Sequence, residues 1–495
     1  MVMGIDIDKT KFEPQDYLDF ENRLEENLSV LQELLADSAF GTGNSSIGAE
    51  LELYIVGTDG NPLYANQEII NELKDPQLTV ELNRYNLEYN LTPYWLTQSA
   101  FSSIEEEIVK KLREVNAAAA IYNGRIVAIG ILPTLKRSDF GDHSVTERKR
   151  YQALMSQLIK RSGTQFKIDV NGKDPLKLTM EDITFEGANT SFQVHYRVNP
   201  IDFADIYNAI QMVTPLAVAI GANSPTLFGH SLWHETRVPL FKQSIDTRHT
   251  DAYRWRNPAR VNFGQGWLRH NAVDLFRETV RIYPALLPIC AQHSSKQQQE
   301  DGEVPSLAEL RLHLSTVWLW NRPVYDDAEG GHLRIEMRAL PAGPTAVDMV
   351  ANAAFLIGLA EGIRPQINEL LPALPFHLAE YNFYRAAQHG FDAKLVWPHL
   401  GQHGYREQTI TDIIDQLLPC AQQGLDAIGV PLEESKRYLS VIQRRLIRKQ
   451  NGAIWQQNKL SQLNQSMSTD NASHTLLETF INHSNSNIPV AEWPL

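Results

Sequence analysis

Cysteine is scarce in this chain, with only Cys290 and Cys420 among 495 residues. Two cysteines cannot cross-link a protein of this size, so the sequence disfavours a disulfide-stapled secreted scaffold and favours a reducing compartment. Positive charge is also in short supply, because 45 Lys and Arg residues stand against 59 Asp and Glu residues, for a formal net charge of −14. This balance disfavours a nucleic-acid surface and favours binding of small molecules or metal ions.

Long apolar runs are missing as well. Residues 215–220 form the longest run that we identify, and it is far too short to cross a bilayer. The first fourteen residues are acidic and contain no apolar stretch typical of a signal peptide. We therefore expect no membrane partner, no nucleic-acid partner and a cytoplasmic location.

Several catalytic signatures are absent too. No P-loop and no G-x-S-x-G nucleophile elbow occurs, so ATP would have to be bound in another way. Residues 41–43 read Gly-Thr-Gly, but they precede a predicted strand, and we interpret them as a turn rather than a dinucleotide site. His234 and Glu235 begin like a zinc-protease motif, but residue 238, where that motif needs a second histidine, is valine. Cys290 is interpreted as a core residue.

The apolar pattern predicts strands scattered among helices. The first helix is expected over 14–35, and after residue 345 the pattern is helical to about residue 449. The final forty or so residues are rich in Gln, Asn and Ser and predict a loosely attached tail. This organisation indicates an α+β fold with a mainly antiparallel sheet. The predicted strands are 47–56, 86–91, 124–131, 191–198 and 332–340; the other predicted helices are 104–120, 145–160, 202–222 and 273–289, with a surface loop over 294–303.

Polar side chains are concentrated on one face of four of these strands. Side chains alternate between the two faces of a strand, so Glu50 and Glu52 share a face with Tyr54, opposite Ala49 and Leu51. The same alternation groups the following sets on the other strands: Asn86, Glu88 and Asn90; Gln193, His195 and Arg197; Arg334, Glu336 and Arg338.

Any one of these faces could simply be exposed to solvent. The four together favour a functional interpretation, because they carry Glu, Gln, His and Arg but no Lys. Carboxylates that converge on one sheet face need cations to offset their repulsion. Oxygen ligands with one imidazole suit Mg²⁺ or Mn²⁺ better than zinc. The arginines would then bind an anionic group such as a phosphate or carboxylate.

Short blocks of sequence around these residues resemble, in order, the blocks of bacterial glutamate–cysteine ligases and related carboxylate–amine ligases. The resemblance extends from about residue 45 to 395. It implies the catalytic fold of glutamine synthetase, a curved antiparallel sheet with helices on its outer side, followed here by a helical C-terminal region. The blocks are IGAELEL (47–53), NLEYNLTP (86–93), GILPTL (130–135), SFQVHYRV (191–198), GANSPTLFGH (221–230), ETRVPLFKQSID (235–246), LRIEMRALPAGPT (333–345) and YNFYRAAQHGFDA (381–393).

The resemblance also implies roles for individual residues. Arg338 and Arg237 would neutralise the phosphoryl group during its transfer, and Gln193 and Arg338 would contact ATP. The implied cofactors are ATP and Mg²⁺ or Mn²⁺. The implied metal ligands are Glu50, Glu52, Glu81, Glu88, His195 and Glu336.

An aromatic and basic cluster could lie at the mouth of the site. Its members could bind nucleic acid or clamp a substrate, and the net charge disfavours the first role. We expect Trp233, Tyr253 and Trp267 to enclose the amine substrate. The cluster consists of Tyr253, Trp255 and Trp267 with Arg254, Arg256 and Arg260.

The resemblance implies an ATP-dependent ligase that joins L-glutamate to L-cysteine through a γ-glutamyl acyl phosphate, the first step of glutathione-type thiol synthesis. Two alternatives stay open: the same chemistry with another amine, and a non-catalytic relative that binds nucleotide or amino acid. The intact acidic set argues against the second. The sequence leaves the oligomeric state open. We expect four segments: a helical lead-in (1–46), the catalytic domain (47–395), a helical part packed on it (396–455) and a polar tail (456–495).

Overall fold

A computed structural model describes residues 7–162, 165–248, 258–398 and 405–495. Helices and strands are mixed along the chain, as expected for an α+β fold. The helices are α1 (Pro14–Ala36), α2 (Asn66–Leu73), α3 (Ala100–Ile121), α4 (Lys149–Ser162), α5 (Phe203–Gly221), α6 (Arg237–Ser244), α7 (Ala272–Ile282), α8 (Ser295–Glu300), α9 (Ala308–Leu314), α10 (Ala346–Ile363), α11 (Ile367–Ala373), α12 (Phe376–His389), α13 (Ile410–Ala427), α14 (Leu432–Arg448), α15 (Gly452–Leu463) and α16 (Thr469–Asn485). The strands are β1 (Ser46–Gly57), β2 (Leu78–Val80), β3 (Asn86–Asn90), β4 (Tyr94–Trp95), β5 (Gly124–Val127), β6 (Phe166–Val170), β7 (Leu176–Met180), β8 (Phe192–Val198), β9 (Thr226–Leu227), β10 (His230–Ser231), β11 (Val261–Asn262), β12 (Trp318–Leu319), β13 (Asn321–Asp326), β14 (His332–Met337), β15 (Lys394–Pro398) and β16 (Tyr405–Thr409).

The central sheet has the strand order β13-β14-β8-β1-β3-β2, and β4 and β5 also pair with β1. Its strand pairs are antiparallel. Within this register Glu52 lies opposite Glu88, and His195 lies opposite both Gly48 and Glu336. The predicted α+β fold with a mainly antiparallel sheet is confirmed, as is the mainly helical C-terminal region.

The two faces of the sheet have different side chains, as the alternation predicted. Leu51, Val194 and Ile335 are buried on the apolar face, which helices cover; α3 packs on β1. The opposite face carries the carboxylates, the arginines and Gln193. Because the period of a strand is two residues, this division follows directly from the sequence.

Two helices of the core are apolar and long. By length and composition alone Phe203–Gly221 and Ala346–Ala373 could each span a membrane, so the sequence contains longer apolar segments than we expected. Their most apolar windows are 89% and 94% buried inside the protein, which is typical of core helices. Glycines bring α10 and α13 together, because a Cβ atom on Gly424 would clash with the Gly358 carbonyl oxygen.

Three details differ from the predicted elements. The helical run after residue 345 is interrupted by the antiparallel pair β15 and β16. The segment 294–303, which was expected to be a loop, contains the short helix α8. The Ser294 side chain caps the start of this helix by accepting a hydrogen bond from Gln297 N. Helix α7 ends at Ile282, because Pro284 follows, so Cys290 lies outside the helix.

The loose attachment predicted for the C-terminal tail is wrong. Helix α16 buries Leu477 and Phe480, and Trp493 is only 4% exposed. Val490 N donates a 2.9 Å hydrogen bond to Asp348 Oδ2 in α10. The Gln, Asn and Ser residues obscured the apolar stripe of this helix. The division into four segments stays a prediction, since one hydrophobic cluster includes residues of all four.

Candidate active site

A cavity covers the polar face of the central sheet. Strands β1, β3, β8, β13 and β14, with the residues that flank them, supply much of its polar lining. Helices α4, α7 and α9 contribute an apolar wall that includes Leu154, Leu158, Phe276 and Leu312. Predicted site residues that line this cavity are Glu50, Glu52, Glu81, Glu88, Gln193 and Arg338.

Glu50, His195 and Glu336 form a first cluster at the edge of this cavity. His195 Nε2 lies 3.0 Å from Glu50 Oε1 and 3.9 Å from Glu336 Oε1. Each residue offers one possible metal-ligand atom, and these three atoms lie within 4.8 Å of one another. All three residues are buried. Among the described residues nothing binds Glu50 Oε2 or His195 Nδ1, although both atoms are buried. Two carboxylates and an imidazole at these distances could hold a divalent cation.

A second cluster consists of four carboxylates that line the cavity, of which Glu88 is buried and Glu52, Glu81 and Glu186 are half-buried. Burial, opposed by Arg338, raises the pKa of Glu52 to about 7. Burial and neighbouring carboxylates raise the pKa of Glu81 to about 8 and that of Glu88 well above its ordinary value. Burial and the nearby Glu52 also raise the pKa of Glu186 to about 7. These shifts mean that the positive charge around the cluster is too small to balance it.

Arginines anchor Glu336 from two strands. Arg322 Nη2 donates to Glu336 Oε1 at 3.0 Å, and its Nε donates to Oε2. Arg338 Nη1 donates to Glu336 Oε1 at 2.7 Å. Burial alone would raise the pKa of Glu336, but Arg322, Arg338 and His195 lower it below its ordinary value. Glu336 is therefore ionised, and it holds the Arg338 guanidinium at the cavity.

Two hydrogen-bond donors hold the Glu52 carboxylate, one on the neighbouring strand β8 and one on the residue just before β8. Gln193 Nε2 donates to Glu52 Oε1 at 2.7 Å, and Ser191 N donates to Glu52 Oε2 at 2.6 Å. Both bonds fix the direction of the carboxylate on β1. The Gln193 amide is oriented by its bond to Glu52, so its Oε1 atom is left as an acceptor. That atom is buried and has no partner among the described residues.

Arg237 does not line the cavity, contrary to its predicted contact with the phosphoryl group. It is 1% exposed, and Nη1 donates to Glu235 Oε1 at 3.2 Å and to the Ala339 carbonyl oxygen at 3.3 Å. Its Nη2 donates to Ser191 Oγ. Arg237 therefore supports the segment whose backbone binds Glu52, and its guanidinium has no free path to a substrate in this arrangement.

Sequence reasoning missed several residues of the cavity. Arg322 lies on β13, a strand that Pro323 concealed, and only its pairing with Glu336 across the β13–β14 hairpin reveals it. Glu186 lies in the 3₁₀ turn Thr184–Ala188, where no alternation marks a face. Arg150 and Arg311 come from helices that cover the cavity.

The described members of the predicted aromatic and basic cluster, Trp267 and Arg260, do not line the cavity, and neither does Trp233. Tyr253, Trp255, Arg254 and Arg256 lie outside the described residues. The described members lie elsewhere and do not line the cavity: Trp267 Nε1 donates to the Leu374 carbonyl oxygen, Arg260 Nη1 donates to the Thr316 carbonyl oxygen, and Trp233 Nε1 donates to Asn171 Oδ1. Neither Trp233 nor Trp267 lines the cavity, whose apolar wall comes from α4, α7 and α9, and their enclosure of the amine stays a prediction.

The sequence model of glutamate-cysteine ligase family 2 (GCS2) matches residues 46–475. The chain belongs to this family. The match includes all the residues of both carboxylate clusters, and it confirms the resemblance of the short blocks. As a member of glutamate-cysteine ligase family 2, the protein is an ATP-dependent ligase.

Two solved structures are similar to this chain, and the first agrees with this family at the level of the fold. The glutamate–cysteine ligase of Francisella tularensis, solved in complex with AMP, is 11% identical, has a TM-score of 0.51 and aligns over 90% of each chain. A bifunctional glutathione synthetase from Pasteurella multocida is 12% identical, with a TM-score of 0.48, and aligns over 95% of this chain and 55% of that one. A search of curated protein sequences finds no match to this chain.

Proposed function

We propose that this member of glutamate-cysteine ligase family 2 makes a γ-glutamyl amide from L-glutamate and L-cysteine, with ATP cleaved to ADP and phosphate. The observation that carries the proposal is the convergence of buried carboxylates and Arg338 in one cavity on the polar face of the sheet. Such a site suits the charges of a phosphoryl transfer, and the described residues need supply no nucleophile.

Both carboxylate clusters fit divalent cations. Glu50, His195 and Glu336 would hold one ion, and Glu52, Glu81 and Glu88 would hold another. The orphaned Glu50 Oε2 and the raised pKa values of the second set support this assignment, because each calls for a positive partner. A bound Mg²⁺ or Mn²⁺ would supply positive charge at these residues to offset the negative charge of the phosphate groups.

The proposed reaction has two steps. An oxygen of the glutamate γ-carboxylate attacks the γ-phosphorus of ATP, the bond to ADP breaks, and an acyl phosphate forms. The amine nitrogen then attacks the acyl carbon, the carbon–oxygen bond to phosphate breaks, and the nitrogen loses a proton. Arg338, anchored by Glu336, would place positive charge where the transferred group becomes more negative. Gln193 would fix Glu52 in the second cluster throughout.

A second candidate function is the same chemistry with another amine. The cavity supports this candidate, because the described residues of its apolar wall include no group that would distinguish the thiol of cysteine from another small substituent. A non-catalytic relative is disfavoured, since a site released from catalysis has no reason to keep so many repelling carboxylates.

An amine screen tests the proposal. Purified protein is given ATP, Mg²⁺, L-glutamate and one amine at a time, and phosphate release and product mass are measured. We expect γ-glutamylcysteine from cysteine, and no product from the Glu52→Gln variant. If another amine gives product and cysteine does not, cysteine is not the amine substrate, but the proposed ligase reaction is kept. Absence of product with every amine, including hydroxylamine as a trap for the acyl phosphate, would overturn the reaction.

A further inference from the structure

One carboxylate of the cavity has no role in the family resemblance. Glu186 lies in the turn Thr184–Ala188 rather than on the sheet, and it lines the cavity. Among the described residues no donor forms a hydrogen bond with its side chain, and no cation pairs with it directly. Within the described part of the chain the Glu186 carboxylate therefore has no direct partner, although the Arg338 charge acts to lower its pKa.

The surroundings of Glu186 differ from those of the sheet carboxylates. Ile183, the residue just before this turn, is buried and lines the cavity. Leu154 of α4 lines the cavity too. Tyr151, on the same face of α4, is close enough for the Glu186 charge to help raise its pKa, after burial and other carboxylates. Glu186 thus lies where the acidic part of the cavity meets an apolar wall.

A second acceptor in the same cavity also lacks a donor. Gln193 is 2% exposed and lines the cavity, and its Oε1 atom is unpartnered among the described residues because Nε2 is committed to Glu52. The Glu52 charge also helps to raise the pKa of Glu186, so Glu52 lies near both Gln193 and Glu186. A ligand that meets both acceptors must carry positive charge and several N–H donors, and its remainder must suit an apolar wall. An alkylammonium group satisfies these requirements.

We propose that Glu186 binds the ammonium group of the incoming amine substrate, and that Tyr151, Leu154 and Ile183 contact its carbon substituent. This inference rests on the proposed function, because it concerns the second substrate of that reaction. It assigns the amine to the α4 side of the cavity, away from the Glu50–His195–Glu336 cluster. The preferred substrate class is a primary amine with a small, apolar or weakly polar substituent.

Hydroxylamine separates this role from acyl-phosphate formation. It traps the acyl phosphate as a hydroxamate, and it is uncharged near neutral pH, so it needs no ammonium site. The experiment compares wild-type protein and Glu186→Gln with hydroxylamine and with the best amine of the screen. We expect the KM for the charged amine to rise about 10- to 100-fold, as for a lost bond to a charged group. Hydroxamate formation should fall far less, and the KM for ATP should stay close to the wild-type value.

Two further variants control the experiment. Glu181→Gln removes an exposed carboxylate just before the same turn and should behave as wild type. Glu186→Asp should recover part of the amine affinity, because it keeps the charge. Equal losses with hydroxylamine and the amine would make Glu186 part of acyl-phosphate formation and overturn the inference. An unchanged amine KM would overturn it too. Wild-type protein that forms no hydroxamate would overturn the proposed function itself.

Discussion

Glu52 and Glu88 lie directly opposite each other on the antiparallel strands β1 and β3, and both carboxylates line one buried cavity. Like charges at opposed positions destabilise a strand pair, and burial increases the cost because water no longer screens them. Protonation or a bound cation would relieve this repulsion. Stability and activity should therefore depend on pH and on divalent cations in linked ways.

Metal-free protein should lose stability as the pH rises from about 5 to about 8. The pKa values of Glu52 and Glu81 are raised by burial to about 7 and about 8, whereas in the unfolded chain they return to about 4.5. Between these values the folded state holds more protons, so raising the pH favours unfolding. Thermal melts in chelator should show a falling Tm over this range.

Two comparisons control these thermal melts: added Mg²⁺ against chelator, and Glu81→Gln against wild-type protein. Added Mg²⁺ should raise the Tm more at pH 8 than at pH 5, because only the ionised carboxylates bind it. Glu81→Gln should flatten the pH dependence in chelator, since one titrating group is gone. A Tm that rises steadily with pH in chelator would contradict the assignment of raised pKa values to this cluster.

Glu52→Gln should remove most ligase activity, by about 10²–10⁴ in rate, while the protein stays folded. The glutamine keeps the size of the side chain but deletes a charge from the second cluster. Its amide can accept from only one of the two donors, Ser191 N and Gln193 Nε2, which bind Glu52. Steady-state rates and circular dichroism measure both effects. Glu72→Gln, at an exposed position on α2, is the control. Normal turnover of Glu52→Gln at saturating Mg²⁺ would remove Glu52 from the metal site.

Arg338→Lys should lower kcat far more than it weakens ATP binding. Lysine keeps the charge but loses the planar fork that suits a phosphoryl group, and it loses the bond geometry to Glu336. A loss confined to kcat marks an interaction made mainly in the transition state. Arg281→Lys, at a surface ion pair with Glu25, is the control. An unchanged kcat with weaker glutamate affinity would instead place Arg338 at a substrate carboxylate.

The amine site should accept 2-aminobutyrate, in which a methyl group replaces the thiol of cysteine. The walls near it, including Leu154, Leu158 and Phe276, are apolar, and such walls discriminate weakly between groups of similar size. We expect the kcat/KM for 2-aminobutyrate to lie within about 10–200-fold of that for cysteine. Competition assays with both amines and mass spectrometry of the dipeptides measure the ratio. Discrimination of many thousandfold would require a thiol-specific polar group that the cavity lining does not contain.

Trp493→Ala should destabilise the fold substantially. The indole of Trp493 packs against Trp455, Phe480 and His483, with ring centroids 5.0, 5.4 and 5.1 Å away. Truncation of a buried tryptophan costs about 3–5 kcal/mol of folding free energy. Urea unfolding should show the lower midpoint. Leu495→Ala, at a 57% exposed side chain, should change the free energy by less than about 0.5 kcal/mol. If the urea midpoints of the two variants are equal, the C-terminal tail is loosely attached, as the sequence predicted.

The sheet was predictable because alternation is a local signal. Strands β1, β3 and β8 match their predicted positions closely, and the polar face that alternation assigned to them is the face at the cavity. Strand β13 was not predicted, since Pro323 interrupts its pattern. The pair β15 and β16 was hidden among helices by its short length.

The site was predictable only where the sheet supplies it. Glu50 and Glu88 follow from strand alternation and the family blocks. Glu186 and Arg150 reach the cavity from a turn and a helix, whose placement over the sheet depends on tertiary packing that no local pattern encodes. The surroundings of Arg237 were not predictable for the same reason, because its sequence block gives no sign that Glu235 and Ser191 accept hydrogen bonds from its guanidinium.

The order of strands in the central sheet has a consequence for biosynthesis. Glu50 leaves the ribosome well before its cluster partner Glu336, which lies on β14. Until then β8 lacks a neighbour on one side, and its unpaired edge is open to other chains. Pairing over such sequence distances is slow. The nascent protein should therefore need protection from aggregation, and the Glu50–His195–Glu336 cluster should be able to bind a metal ion only when synthesis has passed β14.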